Sequence, residues 1–350
     1  MSLPRAVLQP LAAHEPILSR VRIRTSCEDF EVEEIPEYQP CGDGEHLFLW
    51  IEKRNLSSGE LLNVLSRQLN VSSRDIGVAG QKDRRAVTRQ FVSVPSSAEP
   101  QIEQLADDRI QVLSAVRHGN KLRTGHLKGN RFRIALPLEE TSDNVLAAAI
   151  SRMERLETFG LPNYFGPQRF GFEGRTAEDG MAFLRGDIKA SHWPPRKRRH
   201  MKRLVASAAQ SAVFNVCLAN RVSASTFNVA GPGDVVCRVG GIRPFLFDDL
   251  DPNADFEVMP MGPMPGPKMV ASAGRVFDEE QQALHDLELS AEDFCQESKL
   301  TPGTRRPYVV RPVDCSAELA GQTLVLHFAL PPGSFATILL AEIAKDIVSG

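Results

Sequence analysis

The sequence predicts an α+β protein of two domains, one of them split around the other. Three observations carry that expectation. The chain has 350 residues, more than the roughly 250–300 at which single cores usually divide. Short strand patterns are interleaved with helical ones instead of repeating one period. The texture also changes near Gly160, where Pro, Gly and aromatic residues dominate to Gly174, and returns to strand, turn and helix near the C-terminus.

Taken in order, residues 21–52 alternate apolar and polar in stretches such as Phe30–Glu34 and His46–Ile51, and the Gly42-Asp43-Gly44 turn makes them read as paired strands. Ser57-Ser58-Gly59-Glu60 reads as a capping box for a helix with the apolar stripe Leu61, Leu62, Leu65 and Leu69. Ile76–Gly80 and Ala86–Val94 read as two strands. The highly charged Gln81-Lys82-Asp83-Arg84-Arg85 joins them, at a place where scaffolds present chemistry. Arg131–Leu136 is a further strand, ended by Pro137, and residues 144–156 have helical spacing. A mostly helical stretch runs from Leu204 to Val222. Pro and Gly are dense from Pro252 to Pro267, which reads as a loop or linker because proline removes a backbone donor. Asp278–Glu297 is acidic and helical in pattern. Thr323–Leu330 reads as a strand, Pro331-Pro332-Gly333 as a turn, and Ser334 as the N-cap of a helix over Phe335–Val348.

Composition narrows the function. Hydrophobic residues make up 42% and charged residues 24%, close to the globular average, and no apolar run approaches the roughly 18 residues of a membrane span. The N-terminus lacks a secretory h-region, so a cytoplasmic protein is expected. The six cysteines contain no CxxC pair and the eight histidines are scattered, so no metal is assigned. Neither a Walker A motif nor a strand–GxGxxG–helix unit is present, so a nucleotide cofactor is unsupported.

The net charge of −3 conceals an asymmetry: residues 158–203 carry +6 and residues 204–303 carry −8. Six of the eight residues from Arg196 to Arg203 are Lys or Arg, and the span from Arg117 to Arg133 holds six more without an acid. Two such runs point to a polyanion partner, against the bland reading of solvated faces. Trp193, beside the first run, is either a stacking platform for a base or an anchor for its loop.

Asp83 lies among Lys82, Arg84 and Arg85, and neighbouring cations favour an ionised carboxylate able to act as nucleophile or base. A turn aspartate paired with its neighbours has the same spacing. Asn163-Tyr164-Phe165-Gly166-Pro167-Gln168-Arg169-Phe170-Gly171 mixes aromatics with groups that could hydrogen-bond an extruded base, or else supplies core and turns. Leu127-Lys128-Gly129-Asn130-Arg131-Phe132 offers an amide and an aromatic. Gly333–Thr337 opens a helix whose free N–H groups could hold a phosphate, although a plain cap at Ser334 is the favoured account of it.

Ala79-Gly80-Gln81-Lys82-Asp83-Arg84-Arg85-Ala86-Val87-Thr88-Arg89-Gln90 resembles the signature of the TruD family of tRNA pseudouridine synthases. Four further motifs follow that family's pattern: Glu28-Asp29-Phe30 with Gly42–His46, Leu127–Phe132, Asn163–Gly171 and Pro332–Thr337. Two positions depart from it, Cys27 for a proline and Ala341 for an arginine. The resemblance implies a pseudouridine-synthase-type catalytic domain with a mixed, largely antiparallel sheet over residues 1–157 and 307–350, interrupted by a TruD-specific α/β insertion over 158–306. It implies isomerisation of uridine to pseudouridine in tRNA, usually at uridine-13, with tRNA as partner, no cofactor and no obligate protein partner. Asp83 would be the catalytic aspartate, with Lys82, Phe30, Asn130, Phe132, Asn163, Phe165, Gln168 and Arg169 around the base. Arg84, Arg123, Lys128, Arg196, Lys197, Arg198 and Arg199 would be candidates for the RNA backbone. Two other classes compete, a non-catalytic RNA-binding or RNA-folding protein on the same scaffold and a carboxylate hydrolase acting on a small nucleoside.

Overall fold

The computed structural model describes residues 3–139, 143–251 and 254–349. They fall into two compact units: a sheet unit of Ile17–Glu157, Pro312–Gly333 and Ile343–Gly350, and a helix-rich unit of Met1–Pro16, Thr158–Arg311 and Ser334–Glu342. The architecture is α+β with a mixed sheet, as expected. The unit bounds differ from the expected split at both ends of the chain, for a packing reason. Val7 is fully buried and its carbonyl accepts from Asn215 Nδ2 at 3.3 Å, so the N-terminal segment belongs with 158–311. The buried Glu342 carboxylate accepts the N–H of Ala13 at 2.6 Å, which binds Ser334–Glu342 to the same unit.

The sheet unit is built on eight strands. Seven lie in the order Val313–Ala320, Thr323–Leu330, Leu127–Pro137, Phe30–Pro36, Val87–Pro95, His46–Arg54, Ile110–His118, and the two-residue Gly77–Val78 pairs on Val87–Pro95. All neighbours are antiparallel except Phe30–Pro36 beside Val87–Pro95, which run parallel. The expected hairpin of the first two strands is therefore corrected: Val87–Pro95 lies between Phe30–Pro36 and His46–Arg54. Their apolar alternation reported strands, but alternation carries no information about partners. Gly44 has φ 129°, and a Cβ there would meet the His118–Gly119 backbone at 2.5 Å, so the loop between them demands glycine.

The Ser58–Gln68 helix covers one face. Ser57 accepts the Glu60 N–H at 3.2 Å while Glu60 Oε2 accepts the Ser57 N–H at 2.9 Å, completing the expected capping box. Leu61, Leu65 and Leu69 are buried against Leu47, Leu49, Ile51, Val92 and Val94. Ser57→Ala is expected to cost about 1 kcal/mol, read as a lower urea midpoint at an unchanged m-value.

In the helix-rich unit, the Arg198–Ser223 helix is buried along most of its length. The four-stranded sheet of this unit runs Phe245–Leu246, Val235–Arg238, Val258–Met264, Thr304–Pro307. The Pro-rich linker expected over 252–267 is thus corrected, because Val258–Met264 is an inner strand; Pro252 itself lies outside the described residues. Prolines fit because Val258–Met261 pairs with one neighbour and Met261–Met264 with the other, so each half faces a single ladder. The carbonyl of Tyr308, across from Pro260, accepts instead from the Asn163 N–H at 2.8 Å.

The helix expected over Phe335–Val348 is also corrected. It spans Ala336–Ala341 with Phe335, not Ser334, at its N-cap, and Ala344–Ser349 is a strand parallel to Leu18–Ile23. That strand supplies the missing partner of Leu18–Ile23, a pairing that local helix propensity could not reveal. Trp193 is 5% exposed and packs on Phe183 and Val205, so it anchors its loop. Among the described residues no helix is long and apolar enough to cross a membrane.

Candidate active site

The Gln81–Arg85 segment lies over the sheet face that carries Glu34 and Lys53, held by polar contacts to both its backbone and its side chains. Lys82 Nζ donates to Glu34 Oε2 at 2.7 Å, with both side chains almost wholly buried. The Lys82 N–H donates to Ser58 Oγ at 3.0 Å. Lys53 Nζ donates to the carbonyl of Asp83 at 2.7 Å and to that of Leu56 at 2.6 Å. Asp83 is fastened through its backbone, which leaves its carboxylate 32% exposed and bonded at Oδ1 to Arg24 Nη2 at 2.6 Å. Arg24 sits at φ 59°, a left-handed conformation uncommon outside glycine, and its guanidinium lies 4.2 Å from the centroid of the Phe30 ring.

Lys53 is fully buried, and burial pulls its ammonium down from the usual lysine range to about 8, against the favourable charge of Asp83. Between pH 8 and 10.5 the unfolded chain binds more protons at this site than the folded one, so stability rises with pH across that window. In Lys53→Met that contribution is absent. The wild-type unfolding free energy is therefore expected to gain on the variant's from pH 8 to 10, measured by urea denaturation; a difference flat in pH would contradict the shifted lysine.

The sheet face beneath this segment is polar where it should be apolar. Strand alternation puts Phe30, Val32 and Glu34 on one face with Ile134, Phe132 and Asn130, and with Thr88, Gln90, Ile51 and Lys53. Thr88 Oγ1, both amide atoms of Gln90 and Asn130 Oδ1 are buried without a hydrogen-bond partner among the described residues. Unpartnered buried polar atoms cost about 1–3 kcal/mol each and cluster where a ligand or water completes them. Phe132 is 5% exposed, stacked on Phe328 at 5.2 Å and edge-on to Phe30 at 6.2 Å. It is a packed wall beside Asn130.

The opposite face is an ion-pair lattice that accounts for much of the second basic run. Arg133 meets Glu31 and Arg131 meets Glu33, each at 3.1 Å, while Arg89 reaches Glu52 at 2.8 Å. Arg117 lies across from Leu47, on the helix-covered face at the sheet's edge, and is paired with Glu99 at 2.6 Å. An acid-free sequence run is thus not an acid-free surface, because strand pairing brings carboxylates across. Arg123 and Lys128 remain exposed, and Arg84 is exposed with a distant contact of 3.8 Å to Glu60.

In the helix-rich unit, Asn163 is buried, Phe165 and Arg169 are half-buried and Gln168 is exposed. Asn163 Oδ1 accepts from Arg306 Nη2 at 2.6 Å, and Asn215 Oδ1 accepts the Phe165 N–H at 2.9 Å. Arg196, Lys197 and Arg199 are exposed and Arg198 is half-buried, at the start of the Arg198–Ser223 helix. No acid occupies that helix's first turn, so the cations add to its positive end.

Sequence reading missed Arg24, Glu34, Lys53, Gln90 and Arg306. Glu34 and Lys53 carried a signal: each continues an inward series, Phe30-Val32-Glu34 and Leu49-Ile51-Lys53, where an apolar residue was due. Arg24 and Arg306 carried none.

The family model described as tRNA pseudouridine synthase D (TruD) matches residues 17–193 and 197–343. A protein named tRNA pseudouridine synthase D from Anaeromyxobacter sp. (strain Fw109-5) is 40% identical over 344 residues, 96% of this chain and 96% of its own. A namesake from Thermus thermophilus is 37% identical over 328 residues, 92% and 88% of the two chains. A crystal structure from Methanosarcina mazei assigned to tRNA pseudouridine synthase D superposes with a TM-score of 0.73 at 25% identity, covering 99% of each chain.

Proposed function

The chain belongs to the TruD family of tRNA pseudouridine synthases, and from that membership we propose that it isomerises uridine-13 of tRNA with Asp83 as the catalytic carboxylate. The observation that carries the assignment is the mounting of Asp83: backbone clamped by Lys53, carboxylate accessible and aligned by Arg24. The sheet unit is then the catalytic domain and the helix-rich unit the insertion.

The reaction breaks the C1′–N1 bond, turns the detached uracil and joins C5 to C1′; the C5 proton is lost and N1 is protonated. An ionised Asp83 serves each of three routes: addition to the ring, attack on C1′, or removal of the 2′ proton. Atoms and electrons balance within the nucleotide, so the chemistry calls for no redox partner or cofactor. The target base must leave its stack, at a cost of about a few kcal/mol, which contacts to phosphates and to the base offset. Asn130 Oδ1, buried and unpartnered, suits the imide N–H of a flipped uracil. Lys82 serves as the buried tether of the loop through Glu34, and Phe30 and Phe132 as the apolar wall. Arg84, Arg123, Lys128 and the 196–199 cluster are available to the RNA backbone, in the cytoplasm where tRNA is held.

The test is pseudouridine mapping on an unmodified tRNA transcript incubated with the purified protein. Product at position 13, absent from a transcript with cytidine there, is expected. Product confined to another position would overturn the site assignment, and tRNA binding without tritium release from 5-³H-uridine would favour the non-catalytic reading.

A further inference from the structure

Two arginines of the helix-rich unit are packed around one aromatic ring. The guanidinium carbons of Arg306 and Arg169 lie 4.2 and 5.8 Å from the centroid of Phe165. Arg306 donates through Nη2 to the carbonyl of Asn163 at 3.1 Å and to its Oδ1 at 2.6 Å. Arg169 donates through Nη2 to Ser207 Oγ and through Nε to Ser211 Oγ at 3.3 Å, both hydroxyls lying on the Arg198–Ser223 helix. Ser211 Oγ in turn donates to the Ser207 carbonyl at 2.8 Å. The acceptors of these bonds are neutral oxygens.

Burial lowers both guanidiniums, and the charge of Arg169 lowers Arg306 further, to about 10. Among the described residues no carboxylate acts on Arg169. Partly burying two like charges beside one ring costs free energy that an apolar pair in the same place would not. Such an arrangement is favourable once an anion is present, because arginine forks match phosphate oxygens and charge-assisted bonds are about twice as strong as neutral ones.

We infer that Arg169 and Arg306, arranged around Phe165, form a binding site for a single phosphodiester of the RNA strand. This rests on the proposed tRNA substrate. It differs from the expectation that Arg169 contacts the base, since a guanidinium held by serine hydroxyls presents its remaining donors to oxygens of a tetrahedral anion.

The experiment is tRNA binding by the full chain across roughly 50–200 mM salt. Arg169→Gln is expected to weaken binding roughly tenfold and to reduce the salt slope by about 0.7–0.9, the contribution of one phosphate. Arg169→Lys, which keeps the charge, should retain the slope while losing part of the affinity. A scan of single neutral methylphosphonates through the tRNA should reveal one position that weakens wild type as Arg169→Gln does and has no further effect in that variant. Wild-type affinity and slope in folded Arg169→Gln, or a scan with no such position, would overturn the site. Should Arg169→Gln not fold, Arg169→Lys takes its place in the scan: a position whose methylphosphonate costs the variant less than wild type is expected, and its absence would overturn the site. Tritium release by the wild-type preparation separates the two proposals: an inactive wild type overturns the proposed function, whereas an active one with a featureless scan overturns only the phosphate site.

Discussion

Asp83→Asn is expected to abolish pseudouridine formation, lowering kcat/KM by at least about 10³-fold, while tRNA affinity changes by less than about threefold. The substitution keeps size and backbone, so the Lys53 bond to the residue-83 carbonyl and the Lys82–Glu34 tether survive it. What it removes is the negative charge that faces Arg24 and that each of the three proposed routes would use. Loss of activity with retained binding and an unchanged unfolding midpoint is therefore diagnostic of chemistry. The measurement is tritium release from 5-³H-uridine-labelled tRNA beside a filter-binding assay. Turnover within tenfold of wild type would remove Asp83 from the mechanism, and a parallel collapse of binding would make it a recognition residue.

The second large effect is on stability. Glu34 and Lys82 form an ion pair with side chains 0% and 3% exposed, and Glu34 Oε1 also accepts the Phe91 N–H at 3.3 Å. Removing one partner strands the other charge in a low-dielectric interior, so Lys82→Met or Glu34→Ala is expected to cost about 3–5 kcal/mol in urea unfolding. The pair together is worth much less than either loss suggests, because its own desolvation nearly cancels its attraction. Lys82→Met combined with Glu34→Leu should then recover much of the stability. Activity should not return with it, since the anchor of the Asp83 loop is still missing. Single variants costing less than about 1 kcal/mol would mean that the pair is hydrated, and a double variant regaining full activity would show that the loop needs no tether.

The two effects divide the Gln81–Arg85 segment. Its local sequence is that of an exposed charged turn, and two of its three central side chains behave so: Asp83 is accessible and Arg84 faces solvent. Lys82 does not, because Glu34 waits beneath it on a strand 48 residues earlier. Charge patterning along the chain is blind to such partners. The same blindness explains the Arg117–Arg133 run, which reads as a basic stripe until its neighbours Glu31, Glu33 and Glu99 are brought against it.

The sheet was legible strand by strand and illegible as a topology. Period-two alternation marked Phe30–Glu34 and His46–Ile51, since one face of each is buried whichever strand lies beside it. The insertion of Val87–Pro95 between the first two, the proline-bearing inner strand Val258–Met264 and the terminal strand Ala344–Ser349 all depend on partners distant in sequence.

The candidate carboxylate Asp83, the family and the two-part organisation follow from the linear order of residues, because motifs and local periodicities are short-range properties. The tether under the Gln81–Arg85 loop, the buried lysine that grips its backbone and the paired arginines around Phe165 are products of tertiary structure. Each is made by residues distant in sequence, and burial, which sets how much a charge costs and what relieves it, exists only once the chain has folded.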